Sequence, residues 1–175
     1  MEQQNRANPA VYVKLREHAL TMPLPVKSDR IVLVLVMDWY LSNGLASVVA
    51  AFDGSASIYL SSGGGFIGGG QGSAEIRAAA MHAVKVAEQS IARFEAVTSA
   101  DLPERGTVYF YARTTPNEAP AAGATPAPTL MRAVASEKTL SDGSDPLTAL
   151  GGAMQNVITR YRLFQAQKAQ APKTT

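Results

Sequence analysis

The chain has no cysteine. Disulfide scaffolds, thiolate metal centres and cysteine nucleophiles are therefore excluded, and the absence fits a reducing compartment. Histidine is scarce, with only His18 and His82, on different predicted helices. An imidazole metal site or a Ser-His-Asp triad has little to draw on, and no G-x-S-x-G elbow is present. Charge is sparse too. Sixteen basic and fourteen acidic residues leave a net charge of +2, which by itself is no argument for a nucleic-acid partner. The longest dense apolar run, "IVLVLVMDWYL" at 31–41, is too short to cross a membrane as a helix and is interrupted by Asp38. The opening "MEQQNRANPA" lacks a basic stretch followed by an apolar one, so no signal peptide is expected. A cytoplasmic protein with no membrane contact is the expectation, and 175 residues suit one domain.

What is present reads as alternating helices and strands. "ANPAVYVKLREHALTMP" predicts a helix with Asn8 as N-cap and Pro9 at its first position, stopped by Pro23 and Pro25. Its apolar face is either Val11, Leu15 and His18 or Tyr12, Leu15 and Ala19. Residues 30–62 predict a three-stranded antiparallel meander. Its first strand is apolar on both faces, and its turns are placed at Asn43-Gly44 and Asp53-Gly54. Two-residue loops there set Asp38 opposite Val49 and Val49 opposite Ile58, so Asp38 is expected in a largely apolar row.

"SAEIRAAAMHAVKVAEQSIARFEAV" predicts a long helix capped by Ser73, with Ile76, Ala80, Val84, Ala87, Ile91 and Phe94 as its buried stripe. "TVYFYAR" predicts a strand, and the Pro/Ala-rich stretch 114–129 a surface excursion. "LMRAVASEKTL" fits a short helix or strand. The last helix starts with Asp145 as N-cap and Pro146 at N1, and Gly151-Gly152 within it suggests close approach to another element. The predicted order is α-β-β-β-α-β-α, an α+β fold: a three-stranded meander extended by a fourth strand and packed by long helices. An N-terminal helix and linker (1–29), one domain (30–165) and a disordered tail (166–175) complete the expected organisation.

The most distinctive stretch is "SSGGGFIGGGQGS", Ser61–Ser73. Gly63-x-Gly65-x-x-Gly68 satisfies the dinucleotide fingerprint in form, but it follows an antiparallel strand and the helix starts five residues late. The residue twenty positions on, Glu88, falls inside that helix. Gly65 and Gly70 have P-loop spacing, with Gln71-Gly72 where Lys-Ser/Thr is required. Structural packing is the favoured reading, with glycines letting the backbone pass close to a neighbour and Phe66 and Ile67 as anchors. Contact with a ligand or partner through Gly63, Gly64, Gly65, Phe66, Ile67, Gly68, Gly69 and Gly70 ranks second.

Asp38 is the other candidate, because a buried carboxylate has a raised pKa and such groups mark some sites. Paired with Glu75 it evokes an RNase H-like metal site, yet the strand "TVYFYARTT" supplies no further acid. Tyr109, Tyr111 and Arg113 share a strand face that could stack on bases, and tyrosines are also ordinary strand formers.

"DGSASIYLSSGGGFIGGGQ", "GTVYFYARTT" and "DPLTALGGAMQNVITRYR" together resemble a family of small uncharacterised bacterial proteins. These share a DG-x4-Y-x-S-x-GGG-x-IGGG stretch, a GxVxFY strand and a PLxxLxxAxxxVI helix. The resemblance covers residues 30–165, with the glycine block as its most specific part. It implies a shared architecture and carries over no catalytic residue and no cofactor. The expected function is a non-enzymatic binding or protein-interaction domain, with homo-oligomer or protein partner open. The alternative is a small-molecule or nucleotide-binding protein, or an enzyme, using the glycine-rich loop 63–72.

Overall fold

The computed structural model describes residues 9–22, 31–115 and 129–170. The expected Asn8 cap, the Pro23 and Pro25 stops, most of the Pro/Ala-rich stretch and the last five residues lie outside these. The elements are α1 (Pro9–Thr21), β1 (Val32–Leu41), β2 (Gly44–Ala51), β3 (Ala56–Leu60), β4 (Gly65–Phe66), α2 (Gly69–Gly72), α3 (Ala74–Gln89), β5 (Glu95–Ala96), β6 (Thr107–Thr114), β7 (Thr129–Ser136), α4 (Glu137–Asp142) and α5 (Thr148–Gln170). All strands join one antiparallel sheet in the order β4-β3-β2-β1-β6-β7-β5. This is the expected α+β class, with a larger sheet than the meander plus one strand. No described helix is long and apolar enough to cross a membrane.

Strand alternation sorts the core onto two faces. Leu35, Met37, Val48, Ile58, Phe110 and Ala133 point to one side and pack beneath α3 and α5. Val34, Val36, Val49, Tyr59 and Tyr111 point to the other, where α1 contributes Tyr12, Ala19 and Leu20. Tyr12 and Ala19 inward, with Val11 and His18 exposed, is the second of the two predicted helix faces. A register shift between Val32 and Val34 inserts Leu33 as a bulge, so Val32 joins the α3 side while Val34 joins the α1 side.

The hairpins correct the expected register. Leu41 pairs with Gly44, so the first turn is Ser42-Asn43; neither takes positive φ, and the type I′ turn does not form. The second loop holds three residues, Phe52-Asp53-Gly54, with Gly54 at φ 83° closing it back onto the strands. Asp38 therefore pairs with Ser47, which pairs with Tyr59, rather than with Val49 in an apolar row.

Ser73 caps α3 as expected, its Oγ accepting from Ile76 N–H at 3.3 Å. The helix ends at Gln89, earlier than its apolar periodicity suggests, and a 3-10 turn at Ile91–Arg93 leads into β5. Ile76, Ala80, Val84 and Ala87 form the buried stripe, while Phe94 reaches the same core from beyond the helix. "LMRAVASEKTL" is both strand and helix, β7 followed by α4. Asp145 caps the start of α5 through Leu147 N–H at 2.8 Å. That helix continues to Gln170, through part of the segment expected as a frayed tail.

Candidate functional site

Asp38 lies fully buried on the α1 face of the sheet. Arg16 of α1 donates Nε to its Oδ2 at 2.8 Å, and Nη2 stands 2.7 Å from the same oxygen. Ser47 Oγ donates to Oδ1. With that proton committed, Tyr12 Oη donates to Ser47 Oγ at 2.9 Å. Arg16 also donates to the carbonyls of Ala100 at 2.8 Å and Asp101 at 3.0 Å. Burial pushes the Asp38 carboxyl above its ordinary value, opposed by the charge and hydrogen bonds of Arg16 and Ser47. Burial alone would lower Arg16, but Asp38 outweighs it and holds the guanidinium up. Its hydrogen bonds work as a clasp that fastens α1 and the 100–101 segment to the sheet.

Asp38 and Glu75 are not brought together. Glu75 opens α3, across the sheet from Asp38, and among the described residues no group of three His, Asp or Glu could hold a metal ion. Glu88 Oε1 accepts from the backbone N–H of Ile31 at 3.0 Å and Val32 at 3.3 Å, tying α3 to the start of β1. Tyr111 is buried, beneath the Arg16 guanidinium, 5.3 Å from its ring centroid. Its hydroxyl donates to Asp101 O at 2.7 Å, which leaves no open face for a base.

The glycine stretch turns its donors inward. Gly63 N–H donates to Leu60 O at 3.1 Å, Gly68 to Ser57 Oγ at 3.4 Å and Gly69 to Tyr161 Oη at 2.8 Å. Tyr161 passes its own proton to Ala56 O at 2.5 Å. Gly63, Gly64, Gly65 and Gly68 take φ of 100°, 87°, 145° and 73°, a region open to glycine and costly for side chains. A Cβ on Gly65 would overlap the Ile58 carbonyl oxygen, and one on Gly69 would enter the Tyr161 ring. Gly70 leaves no room either, because its Cβ would sit 2.9 Å from the Gly54 carbonyl carbon. Phe66 and Ile67 part company. Phe66 stacks on Tyr161 at 5.3 Å between centroids, whereas Ile67 is 71 % exposed.

Phe66 also walls a groove that none of the sequence motifs marks. Because side chains alternate along β1, Met37 and Trp39 face α5 while Asp38 faces α1. Trp39, Met37 and Val108 floor a cavity of about 350 Å³, closed by Leu140 of α4 and by Gly151 and Gly152 of α5. A second cavity of about 260 Å³ lies over Ile58 and Leu60, bordered by Phe66, Tyr161 and Arg162. Trp39 and Gln155 line both. The glycine pair of α5 shapes this space. Gly151 lies under Leu140, whose Cδ2 would be 3.4 Å from an added Cβ, while a Cβ on Gly152 would meet nothing within 4 Å. Close approach explains at most the first of them.

Polar groups in the groove are few. Glu137 stands at its α4 wall with Ser141, Thr148 and Gln155 nearby. Glu137 Oε1 is shielded from water and has no hydrogen-bond partner among the described residues. Compared with known family profiles, curated proteins and solved structures, the chain matches none.

Proposed function

We propose that the protein is a non-enzymatic binding domain that takes a small, largely apolar molecule in the groove between the sheet and α5. The carrying observation is the pair of neighbouring cavities, of about 350 and 260 Å³, that share Trp39 and Gln155 in their walls and are bordered by a few polar groups. Such a concave, mostly apolar space with a small number of placed polar atoms is what small ligands occupy. Phe66 gives the glycine stretch a part in this reading, since the permissive backbone on either side seats its ring at the groove wall. The buried carboxylate of Asp38 takes no part, being spent on the α1 clasp.

Gly152 supplies the test. A leucine there projects into open space at the groove and exchanges a poor helix former for a good one. The G152L chain should be more stable by about 0.8 kcal/mol, raising Tm by about 2 °C. It should bind the neutral fluorophore N-phenyl-1-naphthylamine at least roughly tenfold more weakly than the unsubstituted chain, as expected when 1.4 kcal/mol of contact is lost. Trp39 is the only tryptophan, so its emission reports occupancy directly. Equal affinity in the two chains, or no binding by the unsubstituted one, would refute the reading.

A further inference from the structure

We propose that the ligand of this groove is an amphipathic amine, its ammonium seated on Glu137 and its apolar body lying over Trp39. The proposal rests on the groove reading above and adds the chemical class.

A carboxylate oxygen withdrawn from water and left without a donor is costly, and the cost is removed when a charged N–H group reaches it. Glu137 Oε1 is in that condition among the described residues. Among the described residues, capping of α4 does not explain it. Ser136, not Glu137, caps α4, with Oγ accepting from Lys138 N–H at 3.2 Å. Glu137's own N–H is committed to Gly106 O at 3.0 Å. The nearest basic residue along β7, Arg132, lies on the opposite face of the sheet, 5.2 Å from the Tyr109 ring centroid and 3.9 Å from Asp101 Oδ2.

The groove's other charged residue favours the same polarity. Arg162 borders the far cavity but is exposed to solvent. A carboxylate ligand paired there would gain little over hydration, as exposed ion pairs do. An ammonium at Glu137 pairs with a half-buried carboxylate whose Oε1 has no partner among the described residues. Between the two ends the floor is apolar, formed by Met37, Trp39 and Val108, and accepts an alkyl or aryl body.

The test compares three probes of one chain length, octylamine, octan-1-ol and octanoate, titrated at neutral pH and followed by Trp39 emission. Octylamine should bind roughly ten- to a hundredfold more tightly than the alcohol, the range expected for a hydrogen bond to a charged group. Octanoate should be the weakest. E137Q should abolish the amine's advantage and leave the alcohol's affinity within about twofold, since shape and apolar contact persist. The comparison on the unsubstituted chain stands even if E137Q fails to fold. Equal binding of amine and alcohol, or preference for octanoate, overturns the amine class and leaves the groove reading standing. Absence of binding by all three overturns both.

Discussion

Three single substitutions in the glycine stretch separate its possible purposes. Gly70 has no positive φ, so alanine there tests close approach alone. Its Cβ would overlap the Gly54 carbonyl oxygen and lie 3.2 Å from Ser55 Cα, and all of these are backbone atoms that cannot swing away. Forced overpacking of this kind costs about 3 kcal/mol, the upper part of the usual range. Gly68 is the converse: φ is 73° and no atom lies within 4 Å of the added carbon. Alanine there bears only the left-handed backbone penalty, about 1 kcal/mol. Gly72 has neither problem, since its Cβ would make an ordinary 3.6 Å contact with Phe164. Alanine there should stabilise by about 0.5 kcal/mol, through the loss of unfolded-state freedom.

With a urea m-value of about 2 kcal/mol/M, the midpoints should move by about −1.5 M for G70A, −0.5 M for G68A and +0.25 M for G72A. Circular dichroism at a helix band reads all three. A G70A midpoint within about 0.25 M of the unsubstituted chain, equivalent to the ±0.5 kcal/mol of an ordinary surface change, would sink the packing argument. So would a G72A loss as large as that of G70A. A stretch kept rich in glycine for a phosphate would show a different pattern, with ligand affinity lost and stability nearly intact.

Two further outcomes test the α1 face. R16M leaves Asp38 buried without its cation and should cost about 3–5 kcal/mol, whereas the double variant R16M/D38L should recover much of it, because well-packed apolar groups replace such pairs. Urea midpoints decide this, and a single variant costing under about 1 kcal/mol would mean the clasp is not closed in solution. Burial first, then the Asp38 charge, raises the Tyr12 hydroxyl to about 12 from 10.0. The folded state therefore holds that proton more tightly than the unfolded chain. The contribution is complete below pH 10 and is lost as pH rises through about 12. Burial also raises the Tyr111 and Tyr161 hydroxyls, so Y12F should remove part, not all, of the late-titrating tyrosinate absorbance; a late amplitude unchanged in Y12F would contradict it.

Much of this architecture was legible in local pattern. Alternation in "TVYFYAR", the Ser73 and Asp145 caps and the stripe Ile76-Ala80-Val84-Ala87 depend on neighbours a few residues away, and each formed as its spacing implies. The register departs from expectation at both turns: the first loop is Ser42-Asn43 instead of Asn43-Gly44, and the second holds one residue more. Gly54 in the left-handed region makes a three-residue loop, and that single extra residue sets Val48 rather than Val49 opposite Ile58. β4 and β5, of two residues each, are too short to carry any periodic signal.

The groove was hidden for a different reason. Met37 and Trp39 meet Glu137 and Gly152 across a hundred residues of chain, and no spacing rule links them. The one local hint is Gly151-Gly152 inside a helix, where close approach holds Gly151 alone and Gly152 borders open space. Asp38 drew notice as a lone acid in an apolar strand, but its partner is Arg16, on a separate helix.

The bulge at Leu33 acts as a phase marker for the whole of β1. Upstream of it, Val32 is keyed to α3 by Glu88; downstream, odd positions face α5 and even positions face α1. Leu33's carbonyl accepts Phe52 N–H at 3.0 Å, which anchors the irregularity to the second hairpin. Drawing Leu33 into a regular pleat, with no residue removed, would set the two assignments against each other. If the Glu88 tie were kept, Asp38 would turn toward α5 and Trp39 would leave the groove for the α1 face. One inserted residue thus decides which side of the sheet holds charge and which side stays open.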